Sequence, residues 1–357
     1  CFKNNIKISY SYKTNYVKPF IETLHNENIM SEVVSPFEVD LTKEFKINAK
    51  YVIYNGPVKS YESISYILKN GGLVNADSFD DLKFIINIAK QLEIKSSIRI
   101  GIRISLSKNK ESRFGIEYSK DNFLKVKSIL DKAGLNKISC IHIHYPDRDI
   151  LNFESRIKEF FTICDEIKRN FGYKDFSIDI GGGLPSNMPY EIKSSLKNEN
   201  IKELDQYFLL LDKYRRKFNL ETNKFIIEPG TALAANCFHL VGNVYSINNK
   251  KSVSYVNTDI SRTELGGVKN NVNYPIKVLN KDNKSLVTDN NEIYLSAYSC
   301  IEGDILSRKL KKGSILNHCS KIVLSSIGSY SLVFKSPFIR PDLPLYEWDG
   351  EKLYLKR

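Results

Sequence analysis

The sequence predicts an α/β chain in which a (β/α)8 barrel, the TIM-barrel architecture, is followed by a C-terminal all-β domain folded as a β-barrel or sandwich. Two observations predict it. Eight short apolar runs alternate with helically spaced segments over about the first 230 residues, and beyond Val241 that periodicity gives way to strand-like runs separated by Asn, Lys, Asp and Gly. Eight βα units in this length suit a closed parallel barrel, whereas an open doubly wound sheet more often stops at about five or six strands. The boundary falls at Val241, giving a barrel over 1–241 and a β domain over 242–357.

The eight runs are Ile6 to Tyr12, Ser31 to Ser35, Tyr51 to Tyr54, Leu73 to Ala76, Ile98 to Ile104, Ile138 to Tyr145, Phe176 to Ile180 and Phe225 to Glu228. They are short and mostly apolar, as strands buried on both faces must be. Between them Val17 to His25, Ser60 to Leu68, Phe79 to Gln91, Asp121 to Ala133, Phe153 to Phe171 and Ile201 to Phe218 carry the spacing of helices with one buried stripe. In the C-terminal part Asn243 to Tyr255, Asn291 to Ser299 and Ser314 to Ser325 read as strands, with Asn248 to Lys251 and Lys281 to Lys284 polar enough to be loops.

Composition bounds the function. Hydrophobic residues make up 42% and charged residues 26% of 357 residues, which fits about two globular domains. The net charge of +12 suggests an acidic partner, but the lysines are spread evenly, without a basic block interleaved with aromatics, so nucleic-acid binding is not expected. No run of about eighteen apolar residues and no signal-peptide pattern occurs, so the expectation is a cytoplasmic protein without a membrane role. Six cysteines, Cys1, Cys140, Cys164, Cys237, Cys300 and Cys319, are scattered without a CxxC pair, which fits a reduced compartment.

Barrel chemistry sits where the strands end, and the predicted ends are polar. Lys13 follows the first strand in SYSYKTN, where a buried ammonium is costly unless neutralised or used covalently; a Schiff base with an aldehyde cofactor removes that cost, and a snorkelling side chain is the plain alternative. Gly181, Gly182 and Gly183 follow the seventh strand and Gly230 the eighth, the loops that barrel phosphate sites favour; a tight turn also explains them. Glu228 ends the eighth strand, from which its carboxylate can pair with a protonated pyridine nitrogen or form a salt bridge to Arg103. His142 and His144 share one strand face, which suits a flat contact with an aromatic cofactor or a zinc-dependent hydrolase. The other histidines, His25, His239 and His318, do not end strands, so no metal is expected.

Taken in order, SYSYKTN, EVVSPFE, VNADS, RIS, SRFGI, CIHIHY, IDIGGG and IIEPG, then SCIEGDIL and SIGSYSLVF, resemble the fold-type III pyridoxal-phosphate decarboxylases, the group of diaminopimelate and ornithine decarboxylases. The resemblance implies pyridoxal 5'-phosphate as cofactor, with Lys13 as the Schiff-base lysine, Glu32 beside it, Arg103 nearby, His144 stacked on the ring and Glu228 on the pyridine nitrogen. It gives the phosphate to Gly181, Gly182, Gly183, Gly230, residue 231 and Tyr330. It further implies a homodimer with shared sites, in which Cys300 reaches into the neighbouring subunit as the acid that reprotonates Cα, with Lys13 as the alternative donor. Substrate contacts fall on Tyr274, Ile301, Glu302 and Asp304.

Several positions depart from the family pattern. Thr231 stands where the family carries an arginine after EPG, and Asp147 replaces a small residue, so Arg148 is the candidate for the missing charge. Ile301 and the Tyr274–Pro275 pair replace the acid and the arginine that accompany basic or diamino-acid substrates, so neither ornithine nor diaminopimelate is the expected substrate. Relatives carry an N-terminal strand ahead of the lysine motif that is not seen before Lys13, so that strand is absent or the chain is a piece of a longer product. Amino-acid decarboxylation is the expected activity. A racemase on the same scaffold and a catalytically silent binding or regulatory relative are the alternatives, and the metal hydrolase comes last.

Overall fold

The structure, a computed structural model, describes residues 5–93, 98–107, 112–185, 187–195, 200–267, 272–279, 292–307 and 320–356. The chain divides into two compact units, Cys1–Ser186 with Glu199–Ala232, and Asn187–Asn198 with Leu233–Arg357.

The first unit is an eight-stranded parallel barrel. Its strands are β1 (Ile6–Ser11), β2 (Met30–Val33), β3 (Val52–Tyr54), β4 (Leu73–Ala76), β5 (Arg99–Ser105), β7 (Cys140–His142), β8 (Ser177–Asp179) and β9 (Phe225–Ile227), with a short β6 (Ile116–Glu117) lying outside against β5. Each pairs in parallel with its neighbour, and closure comes from β1 on β9 (Ile6 opposite Phe225) and β4 on β5 (Leu73 opposite Arg99). Ile53, Leu73, Cys140 and Ile226, contributed by four different strands, pack together as part of the core.

The helices start where local chemistry lets them start. Ser35, Ser60, Ser78 and Ser119 each accept a hydrogen bond from the backbone N–H three residues on, so the strand-to-helix turns supply their own N-caps. Helix Phe79–Gln91 buries Leu82, Ile85, Ile86, Ile88 and Ala89, one stripe of a 3.6-residue period. A helix over Pro36–Glu44, which the apolar spacing did not predict, is opened by the Ser35 cap and Pro36 at its first position.

The second unit holds a six-stranded sheet in the order β12, β15, β10, β11, β13, β14: β10 (His239–Lys250), β11 (Val253–Thr258), β12 (Ile276–Leu279), β13 (Glu292–Ser296), β14 (Ile305–Ser307) and β15 (Lys321–Ser325). The single strand expected over Asn243 to Tyr255 is corrected to a hairpin: Lys250 pairs with Val253, so the chain reverses at Lys251 and Ser252, and Asn248 to Lys250 are strand rather than loop. Lys281 to Lys284 and the start of the expected strand at Ser314 lie outside the described residues. Leu240, Val244, Val256, Leu295, Ile322 and Leu324 belong to the core of this unit. Among the described residues, no helix is long and apolar enough to cross a membrane.

Candidate active site

The strand ends of the barrel gather an acidic network around one amine. Lys13, in the turn that closes β1, donates from Nζ to Glu32 Oε2 at 2.9 Å. Ser11 Oγ donates to the same oxygen, and Asn55 Nδ2 donates to Glu32 Oε1 at 3.0 Å. Asn55 Nδ2 also donates to Glu228 Oε1 at 2.7 Å, while Asn55 Oδ1 accepts from Asn75 Nδ2 at 2.8 Å. A continuous polar path therefore runs from Lys13 to Glu228. Glu32 and Glu228 are each only 1% exposed, so these donors are what allows two carboxylates to lie inside the barrel.

His142 Nε2 stands 3.3 Å and His144 Nδ1 3.8 Å from Glu228 Oε2, yet neither is aligned to donate, and that oxygen has no hydrogen-bond donor. Burial raises the pKa of Glu228, but the nearby His142, Lys13 and His144 outweigh it and hold the group below the usual carboxylate range. His144 Nδ1 instead accepts from the Gly182 N–H at 3.0 Å, which fixes the tautomer with its proton on Nε2. Burial, then the Lys13 charge, push the His144 pKa well below the usual imidazole value, so a neutral aromatic ring is presented at the mouth.

The glycines act first through packing. A Cβ at Gly181 would stand 2.4 Å from Ile143 O, one at Gly183 2.3 Å from Tyr145 O and one at Gly230 2.0 Å from Thr14 Oγ1. The assignment of all three loop glycines to a phosphate is corrected. Gly181 gives its N–H to Asp179 Oδ1 and Gly182 to His144, and only the Gly183 N–H has no partner among the described residues.

Arg148 lies beside that N–H donor loop in the sequence of contacts: Gly183 approaches Asp147 O, and Arg148 Nη2 donates to Thr231 Oγ1 at 3.3 Å. Its Nε is buried without a partner, and among the described residues it pairs with no carboxylate. The adjacent Asp147 is turned to Arg156 at 3.2 Å and to Asn152. The Glu228–Arg103 salt bridge considered from sequence does not form. Arg103 donates to Asp77 at 3.1 Å and lies over the Phe114 ring.

In the second unit Cys300, Ile301 and Glu302 are exposed on the loop between β13 and β14, along a groove of about 690 Å³ that Lys250, Tyr255 and Asn257 also line. Asp304 is corrected from substrate contact to structural anchor: it is 2% exposed and accepts from Ser261 Oγ, Arg262 N–H and Ser299 Oγ, which uses both oxygens to hold the loop. Tyr274 packs against the apolar core of this unit. Tyr330 is 37% exposed and left-handed at φ +61°, a conformation rare for a bulky residue.

With this geometry in place, comparison with known proteins is decisive. Residues 1–235 match the family model of the pyridoxal-dependent decarboxylase, pyridoxal binding domain. The chain belongs to the pyridoxal-dependent decarboxylase family. It is 25% identical over 272 residues to the diaminopimelate decarboxylase of Methanocaldococcus jannaschii, covering 72% of this chain and 60% of that protein. To the diaminopimelate decarboxylase of Aquifex aeolicus it is 23% identical, covering 98% of this chain and 83% of that protein. The crystal structure of the Helicobacter pylori diaminopimelate decarboxylase complexed with L-lysine superposes with a TM-score of 0.80 at 22% identity, covering 99% of this chain and 89% of that one, which shows the shared fold. The chain spans 60 to 62% of the length of three of the diaminopimelate decarboxylases it matches.

The pocket fits the family's cofactor. The undonated Oε2 of Glu228 wants an N–H, the unpaired Arg148 and the Gly183 N–H want an anion, and Lys13 is an amine held at the mouth. His142, His144 and Glu228 also bring ligand atoms within 4.8 Å of one another, a separation that three-ligand metal sites share, while the family the chain belongs to is pyridoxal-dependent. Asp179 is a site residue that sequence reasoning passed over. Its signal was an acidic residue at the end of an apolar strand.

Proposed function

We propose that this chain is a pyridoxal-phosphate-dependent amino-acid decarboxylase working as a homodimer. The observation that carries the reading is the polar path joining the Lys13 amine, through Glu32 and Asn55, to a buried Glu228 whose second oxygen has no donor. When bound, pyridoxal phosphate supplies an electron sink for the pair left on Cα as carbon dioxide departs.

The chain's residues divide the remaining work. Lys13 Nζ holds the cofactor covalently at its aldehyde carbon, and Glu32 orients that amine. Glu228, ionised inside the barrel, keeps a proton on the pyridine nitrogen, while neutral His144 offers its ring face without competing for that proton. Gly183 N–H, Arg148 and the Thr231 hydroxyl take the phosphate, with Gly230 leaving room. The first unit forms the cofactor domain, and the second delivers Cys300 to the neighbouring subunit, where its thiol returns a proton to Cα with Lys13 as the second candidate. Ile301, beside Glu302 on the exposed loop, is apolar where a distal charge would be read, which supports a substrate other than ornithine or diaminopimelate.

The test is spectroscopic, then chemical. Protein loaded with pyridoxal phosphate is expected to show a visible band that borohydride bleaches, with the reduced adduct on Lys13, and to release carbon dioxide from one member of an amino-acid panel. A colourless protein, or an adduct elsewhere, rejects the reading.

A further inference from the structure

One buried titratable group takes no part in the scheme above. Asp179, the last residue of β8, is 0% exposed, and its two oxygens have different fates. Oδ1 accepts the Gly181 N–H at 2.9 Å, while Oδ2 has no donor at all. In parallel register Asp179 lies between His142 on β7 and Ile226 on β9, so it and Glu228, two residues beyond Ile226, stand at the ends of neighbouring strands, and Glu228 Oε2 is the other undonated carboxylate oxygen of the site. Two buried carboxylates at neighbouring strand ends, each with an empty oxygen, cannot both be ionised at tolerable cost; one shared proton satisfies both.

We propose that Asp179 is a neutral carboxylic acid that donates its proton to Glu228 Oε2, making it a positioning residue for the carboxylate that meets the cofactor ring. The groups facing it sort the proton in that direction. Glu228 has His142 Nε2 at 3.3 Å and lies in the field of the Lys13 ammonium, whereas Asp179 faces burial first, then the negative Glu228, with Glu32 beyond and only the Gly181 N–H in compensation. Cys140 on β7 is a fully buried thiol that adds no positive charge, and Arg103, opposite His142 on β5, is engaged by Asp77. The Asp179 pKa accordingly lies well above the usual carboxylate range. A protonated acid in this place also fixes the Glu228 carboxylate plane, leaving its remaining lone pair for the ring nitrogen; this last step rests on the cofactor assignment made above.

Infrared spectroscopy of protein labelled with 13C at the aspartate carboxyl reads the proton directly. At pH 8 exposed aspartates are ionised, so a carbonyl band of a neutral aspartic acid is expected in wild type, both before and after loading with pyridoxal phosphate, and it is expected to vanish in Asp179→Asn. An absent band, or one that persists in Asp179→Asn, overturns the proposal whether or not the protein takes up cofactor, so its failure is separable from failure of the decarboxylase reading. Where Asp179→Asn does not fold, Glu228→Gln serves: the wild-type band is expected to shift in frequency, and an unmoved band overturns the contact. In folded Asp179→Asn the amide still accepts from Gly181 and donates to Glu228. Cofactor affinity and the pH profile of the visible band should therefore stay within about twofold of wild type, while Asp179→Val should lose roughly tenfold or more. Equal losses in both variants mean that an anionic Asp179, or bulk alone, was what mattered.

Discussion

Replacing Arg148 by alanine isolates the phosphate contact. The guanidinium sits 3.3 Å from Thr231 Oγ1, has a buried Nε without a partner and pairs with no carboxylate among the described residues, so its removal breaks no internal ion pair. The local backbone is pinned independently, because Tyr207 Oη donates to the Arg148 carbonyl at 2.5 Å. A hydrogen bond to a charged group contributes about 1.5–3 kcal/mol, and each 1.4 kcal/mol is a factor of ten, so Arg148→Ala should weaken pyridoxal phosphate about 10- to 100-fold. Pyridoxal, which lacks the phosphate, should lose less than about twofold by the same reasoning. Thr231→Arg in the alanine background places a guanidinium in the vacated space and should recover most of the loss. Dissociation constants from absorbance titration with the two ligands decide it. Unchanged affinity for pyridoxal phosphate, or equal loss for both ligands, refutes the assignment.

Co-expression of Lys13→Ala and Cys300→Ala chains should yield mixed dimers that release carbon dioxide when neither variant alone does, since one intact site then forms across the interface; no recovery argues against shared sites. Asn55→Ala removes the donor that serves both Glu32 and Glu228 and should cost at least about 1–3 kcal/mol by urea unfolding, with a change under about 0.5 kcal/mol refuting its bridging role. Glu38, buried near Lys13, has a pKa raised by burial to about 7 from 4.5, so the folded state holds a proton that the unfolded chain has lost between those values. Its ionisation therefore subtracts stability as pH rises from 4.5 to 7, by at most about 3 kcal/mol, and Glu38→Gln should gain on wild type at pH 8 but not at pH 4.5. A pH-independent difference in urea midpoint would refute that linkage.

The barrel was legible because buried parallel strands leave a signature that needs no partner to interpret: a few apolar residues, then a polar end. Helix Pro36–Glu44 escaped because only Glu38, Val39 and Thr42 are buried on it, a face too narrow to register as periodicity, although its cap, Ser35 before Pro36, was visible. The reversal at Lys251 and Ser252 was placed only roughly. The polar run Asn248 to Lys251 marked a loop, but its first three residues continue the strand, and neither turn residue is glycine or proline to fix the position. In the site, Lys13, His144 and Glu228 stood out as single residues, but the bridge that Asn55 makes between Glu32 and Glu228 spans 23 and 173 positions. No local window contains such a contact, because closing the barrel creates it.

Charge counting at the mouth narrows what can bind there. Glu32 is matched by Lys13, Asp77 by Arg103 at 3.1 Å, and Asp147 by Arg156 at 3.2 Å, while His144 is neutral. Glu228 remains ionised, and beyond the hydrogen bond proposed from neutral Asp179 its Oε2 keeps one lone pair to fill, so the site is short of one N–H bearing positive charge. A protonated pyridine nitrogen meets that need, and a ring whose nitrogen stays protonated is the stronger electron sink, which is what loss of carboxylate requires. A racemase that pairs this nitrogen with a cation needs the opposite sign at residue 228, and the Arg103 guanidinium is held by Asp77. Moving Arg103 to the ring nitrogen would strand Asp77 as an unpaired buried anion, a cost on the order of several kcal/mol that the present arrangement avoids.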